Sequence, residues 1–184
     1  GQALAEGQAD AALSWAGLRA QWFAGGLDFD YIIGKTWSKF PANSFQIRRE
    51  DAENAEQAEK YTQYLRGWAM GLEFGHQNPR AATQITMNAP GISEALQSTF
   101  PDKAVAVESM WQLADVFRGN CPDRNGGQWG WHDSESWQIF LDTLLEIEQL
   151  TEAVAPDDIL TNDYIEGAND FDMERVTADA MAFE

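Results

Sequence analysis

Residues 11–33, AALSWAGLRAQWFAGGLDFDYII, decide which fold the sequence predicts. The stretch from Ala11 to Trp15 is a short apolar run, typical of a buried strand. Residues 17–24 follow with a helical pattern that stops at a Gly-Gly pair. The LDFDYIIG stretch then alternates apolar and polar residues, which indicates a half-buried strand. The order strand, helix, strand predicts a short parallel β-α-β segment.

Helical patterns dominate the rest of the chain. Residues 44–49, SFQIRR, still have strand spacing, but from Asp51 to Leu72 apolar residues recur every three or four positions. Further helices are predicted at 79–87, 102–117, 157–160 and 171–183, and Asp133 is predicted to cap one more. The expected fold is therefore α/β, with the β-α-β segment followed by a mostly helical C-terminal half.

The charge of the chain argues against several classes of partner. Asp and Glu number 30 against 12 Lys and Arg, giving a formal net charge of −18. This charge opposes binding to phosphate backbones, so we expect no nucleic-acid partner. No apolar run approaches the roughly 20 residues that span a bilayer, so we expect no direct membrane insertion. The first residues lack the features of a signal peptide, and we expect a mature or trimmed product.

Catalytic and metal-binding motifs are not evident in the sequence. There is no GxSxG, HExxH or phosphate-binding glycine loop. His76, His132 and Cys121 make a weak zinc set, and the two histidines are better explained as a helix-end residue and a packing residue at a helix entry. Capping is favoured over catalysis for the acidic pair Asp170 and Asp172. We therefore predict no catalytic residue, no metal and no cofactor.

The candidate binding site lies where the first predicted strand meets its helix. Trp15 can present an aromatic face there, and the N–H groups of Ala16, Gly17 and Leu18 can attract an anionic or polar group. Ligands of open α/β sheets bind at such edges. A Trp15 that simply fills the core is an equally good explanation. Two aromatic residues of the following loop could line the same crevice: Trp37 and Phe40.

The order of these motifs resembles the later half of solute-binding proteins for thiamine precursors, sulfonates such as taurine, and nitrate. The resemblance is carried by Ala3, Leu4, Gly7, Asp10 and Ala11, which match a segment before a cleft-lining strand. An Asn-Pro-x-x-Ala junction at 78–82 and a Thr-Asn-Asp-Tyr turn at 161–164 also match. The likeness spans almost the whole chain.

The resemblance implies the C-terminal part of a type II periplasmic binding fold. Residues 1–44 would end the second lobe, and residues 45–184 would return to the first lobe. It further implies a periplasmic protein that hands a small molecule to the permease of an ABC transporter. Asn43 and Ser44 would join Trp15 in the cleft. A missing N-terminal lobe or a second chain would supply the remaining contacts.

Two other functions stay open at this stage. An enzyme similar to the pyrimidine synthase of thiamine biosynthesis shares that fold, but the chain lacks its cysteine-rich motif, so we expect no enzyme. A helical protein-interaction module would explain the helical second half. That module would expose the apolar stripe of residues 51–75, whereas a solute-binding protein would bury the stripe against its own sheet.

Overall fold

The computed structural model describes residues 1–34, 39–41, 43–91, 94, 98–100, 102–118 and 127–183, and it is helical. A 3-10 turn is formed by Pro156–Asp158. The described α-helices are α1 (Gln2–Ala5), α2 (Leu18–Ala24), α3 (Arg49–Ala52), α4 (Ala55–Gln77), α5 (Pro79–Asn88), α6 (Lys103–Arg118), α7 (Ser134–Glu146), α8 (Ile165–Ala168) and α9 (Met173–Ala182).

Short polar side chains explain where the longer helices begin. The Oδ1 of Asn54 accepts from the amide of Glu56 at 3.0 Å, one residue before α4. The Oδ1 of Asn78 accepts from the amide of Ala81 at 3.0 Å and is followed by a proline at the first helical position. Asp133 caps α7 in the same way. These caps satisfy donors that a helix start otherwise leaves unpaired, and the predicted starts of α5 and α7 are confirmed.

The predicted α/β fold is wrong. None of the described residues forms a strand, so there is no parallel β-α-β segment. Residues 11–15 lie outside any helix with exposed side chains, and Leu13 is fully exposed. An apolar run predicts a strand only where a neighbouring strand can pair with its backbone. Residues 11–15 have no such neighbour in the described chain.

The third predicted strand, residues 44–49, is also wrong. Residues 43–48 have no regular structure, and Arg49 already begins α3. The long amphipathic helix is confirmed, although it starts at Ala55 because α3 ends in a separate turn at Glu53. Helix α2 lies within the predicted residues 17–24.

The first of two compact units contains residues 1–35, 72–120 and 173–184. In this unit α6 packs against both α2 and α5. The side-chain amide of Asn78 donates to the carbonyl of Ala180 at 2.8 Å and so joins α9 to the start of α5. The buried apolar residues are small, apart from Val176: Ala20, Ala81, Ala106 and Ala180. Such a core buries little apolar area per residue.

The second unit contains residues 36–71 and 121–172. Its larger buried side chains are Trp129, Leu141 and Ile165. Helices α4 and α8 approach closely at Gly167, where an added Cβ would lie 2.5 Å from the Cγ2 of Thr62. Only glycine fits such a contact without displacing a neighbour. The predicted division into 1–44 and 45–184 concerns lobes of a larger protein and stays a prediction.

Two asparagines hold the loop before α7 in the second unit. Asn169 accepts from the amide of Trp129 at 2.8 Å and donates to the carbonyls of Trp129 and Ile165 at 3.0 and 2.8 Å. Asn162 accepts from the amide of His132 at 2.8 Å and donates to its carbonyl at 2.9 Å. Each side-chain amide therefore occupies both polar groups of one loop residue, as a neighbouring strand would.

Asn169→Ala should destabilise the second unit by about 2–3 kcal/mol, because it removes both side-chain hydrogen bonds to the part-buried backbone of Trp129 and one of those that the carbonyl of Ile165 accepts. Asn169→Asp should also destabilise it, since the carboxylate keeps an acceptor but loses both donated bonds. Urea unfolding followed by circular dichroism measures the change. Gln149→Ala, at an exposed position, serves as the control. Equal stability of Asn169→Ala and the control would contradict the proposed role of Asn169.

Candidate functional site

The predicted site around Trp15 is an exposed corner at the start of α2. The Trp15 side chain is 66% exposed, so it does not fill the core. Gly17 behind it is buried, and its carbonyl accepts from the Oγ of Ser109 on α6 at 2.7 Å. A Cβ on Gly17 would lie 2.8 Å from that oxygen, so this contact favours glycine. The corner holds an indole ring at the surface next to a fixed backbone.

The corner offers fewer free amides than the sequence predicted. The amide of Leu18 donates to the carbonyl of Trp15 at 3.1 Å, so the expectation of a free N–H at Leu18 is wrong. The amide of Arg19 donates to the carbonyl of Ala16 at 3.1 Å. Helix α2 is also short, seven residues in all. Trp15 therefore offers mainly its aromatic face to a ligand.

The other predicted site residues belong to the second unit. Phe40 is half exposed, and its ring packs edge-on against Phe140 with 5.5 Å between centroids. Asn43 and Ser44 are exposed, and in the described part of the chain their side chains make no hydrogen bond. Trp37 lies outside the described residues. Trp15, Ala16 and Gly17 belong to the first unit.

An aromatic surface that the sequence analysis did not single out lies in the second unit. Phe45 contacts Trp68 and Tyr64 on α4 with ring centroids 5.2 and 5.7 Å apart. The two α4 residues are four positions apart and therefore lie on one helix face. All three rings remain about half exposed: Phe45 53%, Tyr64 57% and Trp68 47%. We call these three residues the Phe45 cluster.

The apolar stripe of α4 is thus not covered by a sheet. Ala58, Tyr61 and Leu65 are half-buried, Trp68 is exposed, and Ala55 near the helix start is exposed too. The sequence had indicated the stripe by its helical spacing. It could not indicate what covers it, because burial depends on elements distant in the chain.

His132 has the packing role expected for it. Its Nδ1 accepts from the indole N–H of Trp137 at 3.2 Å, and burial lowers its pKa from the ordinary value of 6.5. The neutral ring is therefore the form that fits this site. His76 lies in the last turn of α4, as predicted.

A polar network surrounds the junction of α3 and α4. Arg48 donates to both carboxylate oxygens of Asp51, at 2.9 and 3.2 Å, and the hydroxyl of Tyr61 donates to the same carboxylate at 3.0 Å. The hydrogen bond from Arg48 is the main cause that lowers the pKa of Asp51. The bond to Asp51 likewise raises the pKa of Tyr61. A shallow depression beside this network is lined by Arg48, Arg49, Glu50 and Glu53. Because Arg48 already pairs with the carboxylates of Asp51 and Glu50, the depression has little capacity for an added anion.

Other groups of functional interest are sparse in the described part of the chain. No three His, Cys, Asp or Glu side chains in it come together in a set that could bind a metal. No described helix is both long and apolar enough to span a membrane. Cys121 lies outside the described residues, and Asp170 and Asp172 are exposed near the start of α9.

Comparisons with protein-family models, curated proteins and solved structures found no match to this chain. The similarity to solute-binding proteins therefore rests on the sequence motifs alone. The function has to be argued from the geometry of the surfaces described above.

The lowered pKa of His132 makes stability depend on pH. Near pH 6 the unfolded chain binds more protons at this residue than the folded chain, so stability rises with pH. The contribution of neutral His132 to the free energy of unfolding is complete above the unfolded pKa of about 6.5 and is lost as pH falls through the lower folded pKa. Protonation of Nδ1 also removes the bond from Trp137.

His132→Gln should therefore lose less stability than the wild type between about pH 7 and pH 5. Urea unfolding at each pH measures the two slopes. Nuclear magnetic resonance titration of the His132 ring in the wild type gives a direct second reading. Equal slopes, or a ring midpoint at or above about 6.5, would contradict this assignment.

Proposed function

We propose that this chain is a helical module that binds another polypeptide through the Phe45 cluster. The observation that carries the proposal is the group of three touching aromatic rings, each about half exposed. Single exposed apolar residues are ordinary on protein surfaces, but contiguous aromatic patches mark interaction sites. Trp and Tyr are also enriched among the few residues that carry most of the binding energy at protein interfaces.

The geometry of the cluster suits an apolar anchor residue of a partner. Tyr64 and Trp68 stand one helical turn apart on α4, and Phe45 contacts both from the segment before α3. The three rings already fix each other in edge-on contacts, so little side-chain freedom remains to be lost on binding. Trp68 lies in contact with Phe45 at the shorter of the two distances, and we expect its removal to weaken binding most.

Exposure of the apolar stripe on the long helix distinguishes two functions. An exposed apolar stripe on the long helix indicates an interaction module, and a stripe buried against a sheet indicates a solute-binding protein. Trp68 and Ala55 of this stripe are exposed while Ala58, Tyr61 and Leu65 are half-buried, and no strand in the described residues covers it. Both observations support the interaction module.

Trp68→Ala should weaken binding of an apolar peptide by about tenfold or more, as expected for an aromatic anchor. Peptides would be selected from a displayed library on the wild-type chain, with counter-selection on Trp68→Ala, and measured by titration calorimetry. Trp111→Ala is the matched control, because Trp111 is also a helical tryptophan, 55% exposed, in the first unit.

The proposal would be abandoned if no selected peptide loses affinity for Trp68→Ala relative to Trp111→Ala. Circular dichroism of both variants separates this outcome from unfolding. Phe45→Ala is an independent second variant, because Phe45 belongs to the same cluster but lies outside α4 and its replacement leaves that helix unchanged.

Capture of a small solute for an ABC import system is a second candidate. The exposed ring of Trp15 and the fixed carbonyl of Gly17 favour it, since an aromatic face can stack on a heterocycle such as a pyrimidine. The sequence resemblance adds the periplasmic location and a transporter permease as expected partner. In this form the ligand binds at the corner of α2, and another polypeptide supplies the remaining contacts.

Thermal unfolding tests this second candidate with thiamine, its pyrimidine precursors, taurine and nitrate as probes. A ligand that binds only the native state stabilises it, by about 2.7 kcal/mol at a hundredfold excess over Kd, and so raises the melting temperature. Trp15→Ala should abolish the shift, and Trp111→Ala should keep it. Shifts that survive Trp15→Ala, or no shift with any probe, would remove solute capture at this corner.

A further inference from the structure

Residues 27–32 show the side-chain alternation of a β-strand, but no strand lies beside them in the described chain. The side chains of Leu27, Phe29 and Tyr31 are half-buried, while those of Asp28 and Asp30 are exposed. This alternation has the period of two that a strand shows. The alternation in the sequence predicts four inward positions, of which Leu27, Phe29 and Tyr31 are half-buried and Ile33 is exposed, and no regular structure is formed. We call residues 27–32 the edge segment.

One face of the edge segment rests on α2. The ring of Trp22 packs edge-on against Phe29 with centroids 5.7 Å apart and stacks near Tyr31 at 6.3 Å. The guanidinium of Arg19 lies 4.9 Å from the centre of the Tyr31 ring. These contacts position the side chains of one face. All of these contacts are made by side chains and none by the backbone of residues 28–32.

The backbone of the edge segment is unpaired in the described part of the chain. The amide of Leu27 donates to the carbonyl of Trp22 at 2.8 Å. No hydrogen bond within the described residues involves the backbone of residues 28–32. A row of unpaired N–H and C=O groups is a template for the addition of another strand.

Two polar atoms at the same place also lack a partner in the described structure. The Nε of Arg19 and the hydroxyl of Tyr31 are both closed off from solvent without a hydrogen bond. Buried polar groups without a partner are costly, so contacts with α2 alone leave this region incompletely satisfied.

The open face of the edge segment carries charge. Asp28 and Asp30 stand two positions apart and therefore point to the same side, followed by Ile32, which is 91% exposed. Neither carboxylate has an ion-pair partner in the described residues. Opposite charges at facing positions stabilise strand pairs, and like charges destabilise them.

We propose that the edge segment binds an extended, basic segment of another polypeptide by β-strand addition. Lys or Arg at alternating positions of that segment would face Asp28 and Asp30, and an apolar residue would face Ile32. A second copy of this chain is a poor occupant, because its own aspartates and net charge of −18 would oppose it. The inference goes beyond the proposed function, since it concerns a different surface in the other unit.

The test uses a short synthetic peptide in which Lys alternates with Val. It should bind the whole chain, and Asp28→Asn/Asp30→Asn should weaken it by about threefold to tenfold. Asp157→Asn/Asp163→Asn removes two charges from the second unit and is the matched control. Titration calorimetry gives the affinities, and hydrogen exchange should show protection of the amides of residues 28–32.

Three outcomes would overturn the proposal. One is no binding of the Lys-Val peptide. Another is equal weakening by both double variants, which would indicate general attraction to a negative chain. The third is equal binding of a peptide with the same charges but methylated backbone amides, since that peptide cannot extend a strand. Trp68→Ala should bind the Lys-Val peptide normally, so failure here is distinguishable from failure at the Phe45 cluster.

Discussion

Hydrogen bonds from side chains to backbone groups distant in the sequence join the described segments of this chain. The Ser109 hydroxyl fixes Gly17 at the start of α2, and the Asn78 amide joins the end of α9 to the start of α5. Asn162 and Asn169 do the same for the loop before α7. Non-helical backbone needs partners as much as helices do. In the described loops these side chains supply partners at single points, and residues 28–32 have no backbone hydrogen bond within the described part of the chain.

This arrangement explains which parts of the fold the sequence could predict. Helix starts depend on local signals, and Asn78 with Pro79 and Asp133 were identified as caps from their neighbours alone. Strands depend on a partner elsewhere in the chain, which alternation does not reveal. The pattern of residues 27–33 correctly indicated the inward side chains of Leu27, Phe29 and Tyr31 but not that of Ile33, and it did not show that no described strand lies beside them. The expected β-α-β segment failed for that reason.

The candidate sites show the same limit. Trp15 was chosen as a residue at a strand end, and the structure leaves it exposed at the corner of a helix instead. The Phe45 cluster was missed because its members come from segments that the sequence assigned to a strand and to a buried stripe. Its only sequence signal was the four-residue spacing of Tyr64 and Trp68 on α4, which equally well predicts core packing.

Packing explains why large apolar side chains remain exposed on this chain, and its negative charge opposes their association with other copies. Alanines form much of the described core, whereas large rings such as Trp15, Trp68 and Trp111 remain at the surface, where their apolar area is not yet buried. Apolar contact acts at short range, but repulsion between molecules of charge −18 extends over a Debye length of about 8 Å at physiological salt. The same negative charge opposes self-association and attracts positively charged surfaces. In the two proposed interactions, the charge would favour a basic partner, and the Phe45 cluster and the edge segment would supply the contacts.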